Sequence, residues 1–214
     1  MLLYDCATAP SPRRARMFIA EKGLAEKGVD VQLEQVDLAG LGNLEADYLA
    51  KVPTGTVPAL LTDDGELITE NLAIAAYLER LHPKPPLMGR DALEAARILE
   101  WDMRITLGAF LACAEMIRNS SPRMVDRALP GPRPVKQIPE LAARGRARIA
   151  GFWDDFDAHL AGRDFVASGG YSYADITGTV CVDFSAWCKA SPLETHPNIA
   201  AWHARMRARP NYDA

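Results

Sequence analysis

The sequence lacks an excess of positive charge and any long apolar run, and each absence excludes a class of function. Lysine and arginine number 24 against 28 aspartate and glutamate residues, a formal charge of -4, so no net positive field attracts nucleic acid. The local group Arg13, Arg14 and Arg16 is expected to be solvated surface. No stretch resembles a secretory signal or a membrane-spanning helix, so no membrane partner is expected.

The sequence also lacks closely spaced cysteines, since its four lie at Cys6, Cys113, Cys181 and Cys188. They form no Cys-x-x-Cys and no His/Cys spacing suited to zinc, so we expect neither a metal site nor a disulfide framework. Separated thiols are typical of a reducing compartment, which predicts a cytoplasmic protein. The 214 residues, 49% of them hydrophobic, suffice for one large domain or two smaller ones.

The first third of the chain begins with a strand–helix–strand pattern. Residues 2–6 predict a short strand, and Ser11 followed by Pro12 predicts a helix with Ser11 as its N-cap. This helix is expected to end near Gly23. Apolar residues then alternate with polar ones over 29–33, which predicts a second strand parallel to the first.

The next segment predicts a hairpin and a covering helix. Residues 59–62 and 66–68 read as strands, and the Asp-Asp-Gly turn at 63–65 joins them in an antiparallel pair. From Leu72 to Leu81 apolar residues recur at helical spacing and form a stripe that can cover the hairpin. The order over the first 80 residues is therefore βαβ followed by ββα, with a mixed four-stranded sheet.

Three prolines between His82 and Gly89 interrupt the helical pattern and indicate a linker. Beyond it we predict a long helix, a proline-rich interruption from Pro122 to Pro139, and three further helices. The predicted helices span 91–119, 140–160, 173–189 and 197–208. The predicted domains are 1–81, a linker at 82–90, and an all-helical domain at 91–214.

The Val57-Pro58 bond, just before a predicted strand, is a favourable place for a cis peptide. A turn of this kind leaves the N–H and C=O of Val57 free to pair with an extended peptide ligand, as an added strand would. The sequence therefore predicts a peptide-binding edge at Val57 and Pro58.

Several motifs together resemble the glutathione S-transferases, bacterial members in particular. They are Val57-Pro58-Ala59-Leu60, the Asp64-Gly65 turn, Glu70-Asn71-Leu72-Ala73-Ile74, the opening strand and helix from Leu3 to Gly23, Ser172-Tyr173-Ala174-Asp175-Ile176, and the ending from Trp202 to Pro210. The resemblance covers nearly the whole chain. It implies a thioredoxin-like N-terminal domain, an all-α C-terminal domain, glutathione as co-substrate, and a homodimer. From Ser172 and Asp175 we expect a structural capping box rather than a catalytic site.

The resemblance also implies how glutathione is held. Glu70 stands where the family has an acidic residue that takes the γ-glutamyl ammonium, and Asn71 stands where a serine takes the carboxylate. The start of a helix near Leu72 suits a carboxylate, because free N–H groups and the helix dipole favour an anion. The alternative is that Asn71 is merely the N-cap of that helix.

The residue that activates the glutathione thiol is left open among several candidates. Many bacterial relatives carry a serine where this chain has Ala9, so the commonest assignment fails. Ser11, at the start of the first helix, is the first candidate, with helix capping as its alternative role. Thr8 is the second. Cys6 is the third, and a small buried side chain is its expected role.

The second substrate is expected to bind among apolar residues of the helical domain. Trp101, Arg104, Leu107 and Phe110 on the long helix, with Met103 beside them, and Trp187 farther along could line that pocket. The alternative for each of them is ordinary helix core.

The resemblance implies a detoxification enzyme that conjugates glutathione thiolate to small hydrophobic electrophiles. A glutathione-dependent disulfide reductase, or an ether-cleaving or dehalogenating relative, is the enzymatic alternative. The non-enzymatic alternative is a binder that keeps the peptide site but, with Ala9 in place of serine, does not activate the thiol.

Overall fold

A computed structural model describes all residues from 1 to 214. The chain forms two compact units. The first, called here the N-terminal unit, contains Met1–Pro85, Pro130–Arg133 and Asp213–Ala214; the second, the helical unit, contains Pro86–Leu129 and Pro134–Tyr212. A tetrapeptide from the proline-rich interruption therefore belongs to the N-terminal unit.

A mixed four-stranded sheet forms the centre of the N-terminal unit, which confirms the predicted fold class. Its strands are β1 (Leu2–Asp5), β2 (Gln32–Gln35), β3 (Ala59–Leu61) and β4 (Leu67–Thr69), in the order β2-β1-β3-β4. β1 is parallel to β2 and antiparallel to β3, and β3 and β4 form the predicted hairpin. A positive φ of 82° at Gly65 lets the chain reverse between them.

Three helices accompany the sheet: α1 (Pro10–Glu21), α2 (Ala46–Lys51) and α3 (Asn71–Leu81). The sequence analysis did not foresee the short α2. Ile74, Ala75 and Leu78 are buried on α3 as the stripe predicted, but Leu81 is 49% exposed because it ends the helix. Each large apolar side chain buried this way contributes about 1.5–3 kcal/mol.

The basic group on α1 is not the solvated surface that was expected. Arg14 is buried, and Arg16 donates to the buried carboxylate of Asp5 at 2.5 Å. Gln35 donates to the other oxygen of Asp5, at 2.6 Å. The expectation was wrong because an isolated buried carboxylate is costly, and a cation on the neighbouring helix compensates it.

The helical unit has α4 (Ala92–Ile105), α5 (Leu111–Arg118), α6 (Pro139–Leu160), α7 (Tyr173–Ser185) and α8 (Pro197–Arg207). A π-helical segment, Thr106–Phe110, joins α4 to α5 and completes the predicted long helix. Gly108 lies inside it because any larger side chain would collide with the ring of Phe152. No helix is long and apolar enough to cross a membrane.

The capping box at the start of α7 is present as predicted. Both oxygens of the fully buried Asp175 are occupied: one accepts from the N–H and hydroxyl of Ser172, the other from the Val166 N–H and the Trp202 indole. Burial raises the pKa of Asp175 to about 6, although these donors act in the opposite direction. Asp175 therefore joins three segments of the helical unit, which is a structural role.

Candidate functional site

Three loops meet at one end of the sheet in the N-terminal unit. Tyr4 pairs with Ala59, and Ala59 pairs with Thr69. The residues just after β1, just before β3 and just after β4 therefore lie side by side. These are the loop 6–9, the Val57-Pro58 peptide, and the pair Glu70-Asn71. The register thus brings the predicted glutathione-binding residues and the thiol-activating candidates to one edge.

The Val57-Pro58 peptide is cis, as predicted. Neither the N–H nor the C=O of Val57 takes part in a backbone hydrogen bond, so both remain available to a peptide. The preceding residue is fixed by Tyr48, whose hydroxyl donates to the Thr56 carbonyl at 2.8 Å, and burial raises the pKa of this phenol. This hydrogen bond therefore fixes the loop that presents the Val57 main chain.

The loop before Val57 is held on its other side as well. Asn43 donates to the carbonyl of Gly55 at 2.8 Å, and Gly55 has a φ of 62° that favours glycine. A side chain at Gly55 would approach Pro132 of the tetrapeptide to 3.3 Å. Sequence reasoning missed this contact because nothing local in residues 130–133 indicates a partner far away in the chain.

Glu70 occupies an unusual backbone conformation at the start of α3. Its φ of 69° and ψ of 129° lie in a region that non-glycine residues rarely adopt, at a cost of about 1–3 kcal/mol. Its side chain is exposed and makes no hydrogen bond or ion pair within the chain. A carboxylate is therefore held, at an energetic cost, where a cation can reach it.

Asn71 is the first residue of α3, and Glu70 takes the N-cap position, so the interpretation of Asn71 as a bare N-cap is wrong. Asn71 is 5% exposed, its Nδ2 donates to Ser11 Oγ at 2.9 Å, and its Oδ1 has no partner. Because a hydroxyl can accept or donate, the pair also forms with the amide turned over. In either orientation one buried polar atom of Asn71 remains for a ligand.

Ser11 is likewise not the N-cap that was predicted. Ala9 takes that position, and Pro10 rather than Pro12 is the first residue of α1, because either proline suits a first turn. The prolines at 10 and 12 have no N–H, so Ser11 supplies the single main-chain donor among the first three helical residues. Its hydroxyl retains a proton to donate after accepting from Asn71.

The other two thiol-activating candidates lie in the loop before α1. Thr8 is exposed, and its hydroxyl lies 3.6 Å from the sulfur of Cys6, which is buried. The Ala9 N–H donates to the Cys6 carbonyl at 2.9 Å and closes a tight turn. Thr8 therefore has access to a ligand, whereas Cys6 faces inward.

The residues predicted to line an apolar pocket form two separate groups in the helical unit. In the first group, Trp101 is 7% exposed and stacks on His159, with ring centres 3.8 Å apart. The guanidinium of Arg104 lies over the Trp101 ring, 4.3 Å from the ring centre. In the second group, Phe184 contacts both Phe110 and Trp187. The ring centres are 5.1 and 5.5 Å apart. Leu107 is half exposed and belongs to neither group.

Comparison with known proteins shows the family to which the chain belongs. The family model for the glutathione S-transferase N-terminal domain matches residues 8–81, and that for the C-terminal domain matches 140–214. Glutathione S-transferase 2 of Saccharomyces cerevisiae is 32% identical over 99% of this chain and 87% of its own length. The chain belongs to the glutathione S-transferase family.

Solved structures of other glutathione S-transferases resemble the chain over its whole length. A glutathione S-transferase domain-containing protein from Marinobacter aquaeolei VT8 gives a TM-score of 0.88 at 29% identity, and the match covers 99% of this chain and 100% of the other. Gtt2 from Saccharomyces cerevisiae also gives 0.88, at 31% identity, covering 99% and 98%. A homologue from sulfitobacter, solved with bound glutathione, is 24% identical with a TM-score of 0.78, covering 99% and 94%, and shows the shared fold.

As a glutathione S-transferase, the chain departs from the expected pattern at two positions of the candidate site. The chain has Ala9 and Asn71 at two positions where the resemblance implies serine. The contact between Asn71 and Ser11 was not foreseen, because they are 60 residues apart. The sequence signal that could have indicated this contact was a polar residue at the start of each of two helices, Ser11 on α1 and Asn71 on α3.

Proposed function

We propose that this chain binds glutathione at the end of its N-terminal sheet and conjugates the glutathione sulfur to small hydrophobic electrophiles. The observation that carries the proposal is the convergence at one edge of the unpaired Val57 main chain, the unpartnered Glu70 carboxylate and the unpaired buried oxygen of Asn71. Each group suits a different part of the tripeptide.

In this proposal the cysteinyl residue of glutathione pairs with the N–H and C=O of Val57. The γ-glutamyl ammonium meets Glu70, and its carboxylate meets the side chain of Asn71. Charge-assisted hydrogen bonds of this kind contribute about 1.5–3 kcal/mol each. Pro58 keeps the edge in place and provides no donor of its own.

Activation of the thiol is assigned to Ser11, in the first turn of α1, or to Thr8, in the loop before it. A hydroxyl donor together with the positive end of a helix stabilises a thiolate relative to a thiol. The thiol proton leaves to solvent, the sulfur forms a bond to the electrophilic carbon, and the leaving group departs with the electrons of its own bond. Metal ions have no part in this scheme.

The first experiment separates binding from activation. Calorimetry with glutathione is expected to detect one site per chain, and mixing at neutral pH is expected to produce the ultraviolet absorbance of a thiolate. Turnover of chlorodinitrobenzene then tests conjugation. Affinity without a thiolate band would instead indicate the non-catalytic binder, and the absence of any heat of binding would contradict the whole proposal.

Substitution of Ser11 by alanine tests which end of glutathione this hydroxyl serves. If Ser11 stabilises the sulfur, Ser11→Ala raises the pKa of the bound thiol and lowers kcat about a hundredfold, with glutathione affinity retained. If it serves only the carboxylate through Asn71, the variant loses affinity and keeps the thiol pKa. Thr8→Ala is measured in parallel. Ser191→Ala, an exposed serine in the helical unit, is the control.

Dehalogenation is the second candidate reaction, and one relative favours it. The tetrachloro-p-hydroquinone reductive dehalogenase of Sphingobium chlorophenolicum is 23% identical over 89% of this chain and 87% of its own length. Release of halide from a chlorinated aromatic compound, with oxidation of glutathione to its disulfide, would distinguish this reaction from conjugation. Ether cleavage or disulfide reduction would use the same bound thiolate.

A homodimer and a pocket for the second substrate are further parts of the proposal, and both concern the helical unit. A row of partly exposed apolar side chains, at every fourth position, follows α4 into α5. It consists of Leu99, Met103, Leu107 and Leu111. Such a row can pack against a second copy or an apolar substrate. Light scattering that gave the mass of one chain, 23.4 kDa, would contradict the dimer.

A further inference from the structure

A surface cavity of about 500 Å³ lies in the helical unit. Two cations, Arg146 and Lys189, line it together with apolar residues that include Met116 and Trp187. Cys188 also lines it, on the short turn Ala186–Cys188 that follows α7. None of the residues assigned above to the glutathione site belongs to this cavity.

The thiol of Cys188 does not stand alone, because the thiol of Cys113 on α5 lies close enough to shift its pKa. Cys113 is fully buried and Cys188 is partly exposed, so only one member of the pair faces the cavity. Cys181 lies close to Cys113 and is also fully buried. The cluster therefore has one accessible thiol and one buried thiol in direct contact behind it.

The pKa values of the two thiols are shifted in opposite directions, as suits an attacking cysteine with a lowered pKa and a resolving cysteine with a raised one. The neighbouring Cys113 thiol lowers the pKa of Cys188, and Arg146 acts in the same direction. The neighbouring Cys188 thiol, together with burial, raises the pKa of Cys113. In its thiol form Cys188 donates to the Ser185 carbonyl at 3.3 Å. A lowered pKa, partial exposure and a neighbouring thiol are the features of redox-sensitive cysteines.

We propose that Cys188 and Cys113 form a redox-active dithiol that reduces small anionic disulfides entering this cavity. The Cys188 thiolate attacks one sulfur of the disulfide, forms a mixed disulfide, and releases the other half as a thiolate. Cys113 then passes its proton to the released thiolate and attacks the Cys188 sulfur, which displaces the second half as a thiolate that takes up a proton from solvent. The chain gains a Cys113–Cys188 disulfide, and one disulfide substrate becomes two thiols.

The lining of the cavity indicates the class of disulfide. Arg146 and Lys189 can pair with carboxylates, while Met116 and Trp187 offer apolar contact to the carbon chain. Glutathione disulfide, with its four carboxylates, is the probe that fits this chemistry, and 2-hydroxyethyl disulfide is a neutral comparison. We expect glutathione disulfide to react about tenfold faster than the neutral probe, because the cations concentrate anions at the thiol.

Intact-mass measurement and peptide mapping after incubation with glutathione disulfide test the proposal in the full-length protein. The wild-type chain is expected to lose two hydrogens and to map to a Cys113–Cys188 disulfide. Cys113→Ala is expected to stop at a stable adduct of one glutathionyl group on Cys188. Cys188→Ser is expected to lose reactivity about tenfold or more. Glu66→Gln, at an exposed position of the N-terminal unit, is the control and keeps the wild-type behaviour.

A stable adduct on wild-type Cys188, a disulfide to Cys181, or undiminished oxidation of Cys188→Ser would overturn the proposal. If Cys113→Ala does not fold, the kinetics of Cys188→Ser and of Arg146→Gln decide, since Arg146→Gln should remove the advantage of the anionic probe. These measurements need no transferase turnover. Failure of the conjugation proposal would therefore leave the dithiol proposal standing, and the reverse also holds.

Discussion

The starts of α3 and α7 differ in whether their polar groups have hydrogen-bond partners within the chain. At α7, Ser172 and Asp175 form a capping box whose polar atoms are fully occupied within the helical unit. At α3, Glu70 makes no capping bond and has a positive φ, and the buried Asn71 keeps an unpaired oxygen. A helix start that satisfies its own polar groups holds the fold together, whereas one that leaves them open is prepared for a ligand.

The two helix starts also differ in how many distant residues they contact. Asp175 draws its partners from Val166, nine residues earlier, and Trp202, 27 residues later, so its loss affects packing across the unit. Gly178 supports this arrangement, because a side chain there would approach the Trp202 ring to 2.9 Å. Asn71 has Ser11 as its one side-chain partner. Substitutions at the two helix starts should therefore separate stability from ligand affinity.

The largest expected effect is on stability, at the satisfied helix start. Asp175→Ala leaves the Ser172, Val166 and Trp202 donors buried without an acceptor, and should lower the free energy of unfolding by about 3–5 kcal/mol. Denaturant unfolding followed by circular dichroism measures this. Ser172→Ala, which keeps the carboxylate, should cost only about 1 kcal/mol. Equal losses in the two variants would refute the central role given to Asp175.

The next effect is on affinity, at the open helix start. Glu70→Gln removes the negative charge proposed to hold the glutathione ammonium and should weaken binding by about 1.5–3 kcal/mol, roughly tenfold to a hundredfold. Unfolding stability should stay within about 0.5 kcal/mol of the wild type, because the carboxylate has no partner in the chain. Calorimetry measures the affinity. Glu66→Gln, an exposed carboxylate on the same hairpin, is the control and should change neither property.

The smallest effect concerns the backbone of Glu70 rather than its charge. Glu70→Gly and Glu70→Ala both remove the carboxylate, so both should lose glutathione affinity to the same extent. Glycine accepts a φ of 69° without strain, and the glycine variant should therefore be about 1 kcal/mol more stable to unfolding than the alanine variant. A more stable alanine variant would show that the conformation at this position carries no strain.

Much of the architecture could be predicted because its signals are local. Two short strands joined by the Asp-Asp-Gly turn predicted the β3–β4 hairpin, and the Ser172 and Asp175 spacing predicted the capping box. Predictions failed where two residues satisfied the same local rule. Pro10 and Pro12 both suit a first helical turn, so the start of α1 was placed too late and Ser11 was mistaken for its cap. Arg16 was predicted to be surface because Asp5, whose carboxylate it contacts, is not its sequence neighbour.

By itself the sequence determined the order of the four strands along the chain, the helices other than α2, the cis Val57-Pro58 bond and the family. These follow from patterns within short windows or from motifs carried along the chain. Only the tertiary structure decided that Ser11 contacts Asn71, that Trp202 donates to Asp175 and that Cys188 contacts Cys113. The physical reason is range. A hydrogen bond acts over about 3 Å, and only packing brings residues so far apart in sequence within that distance.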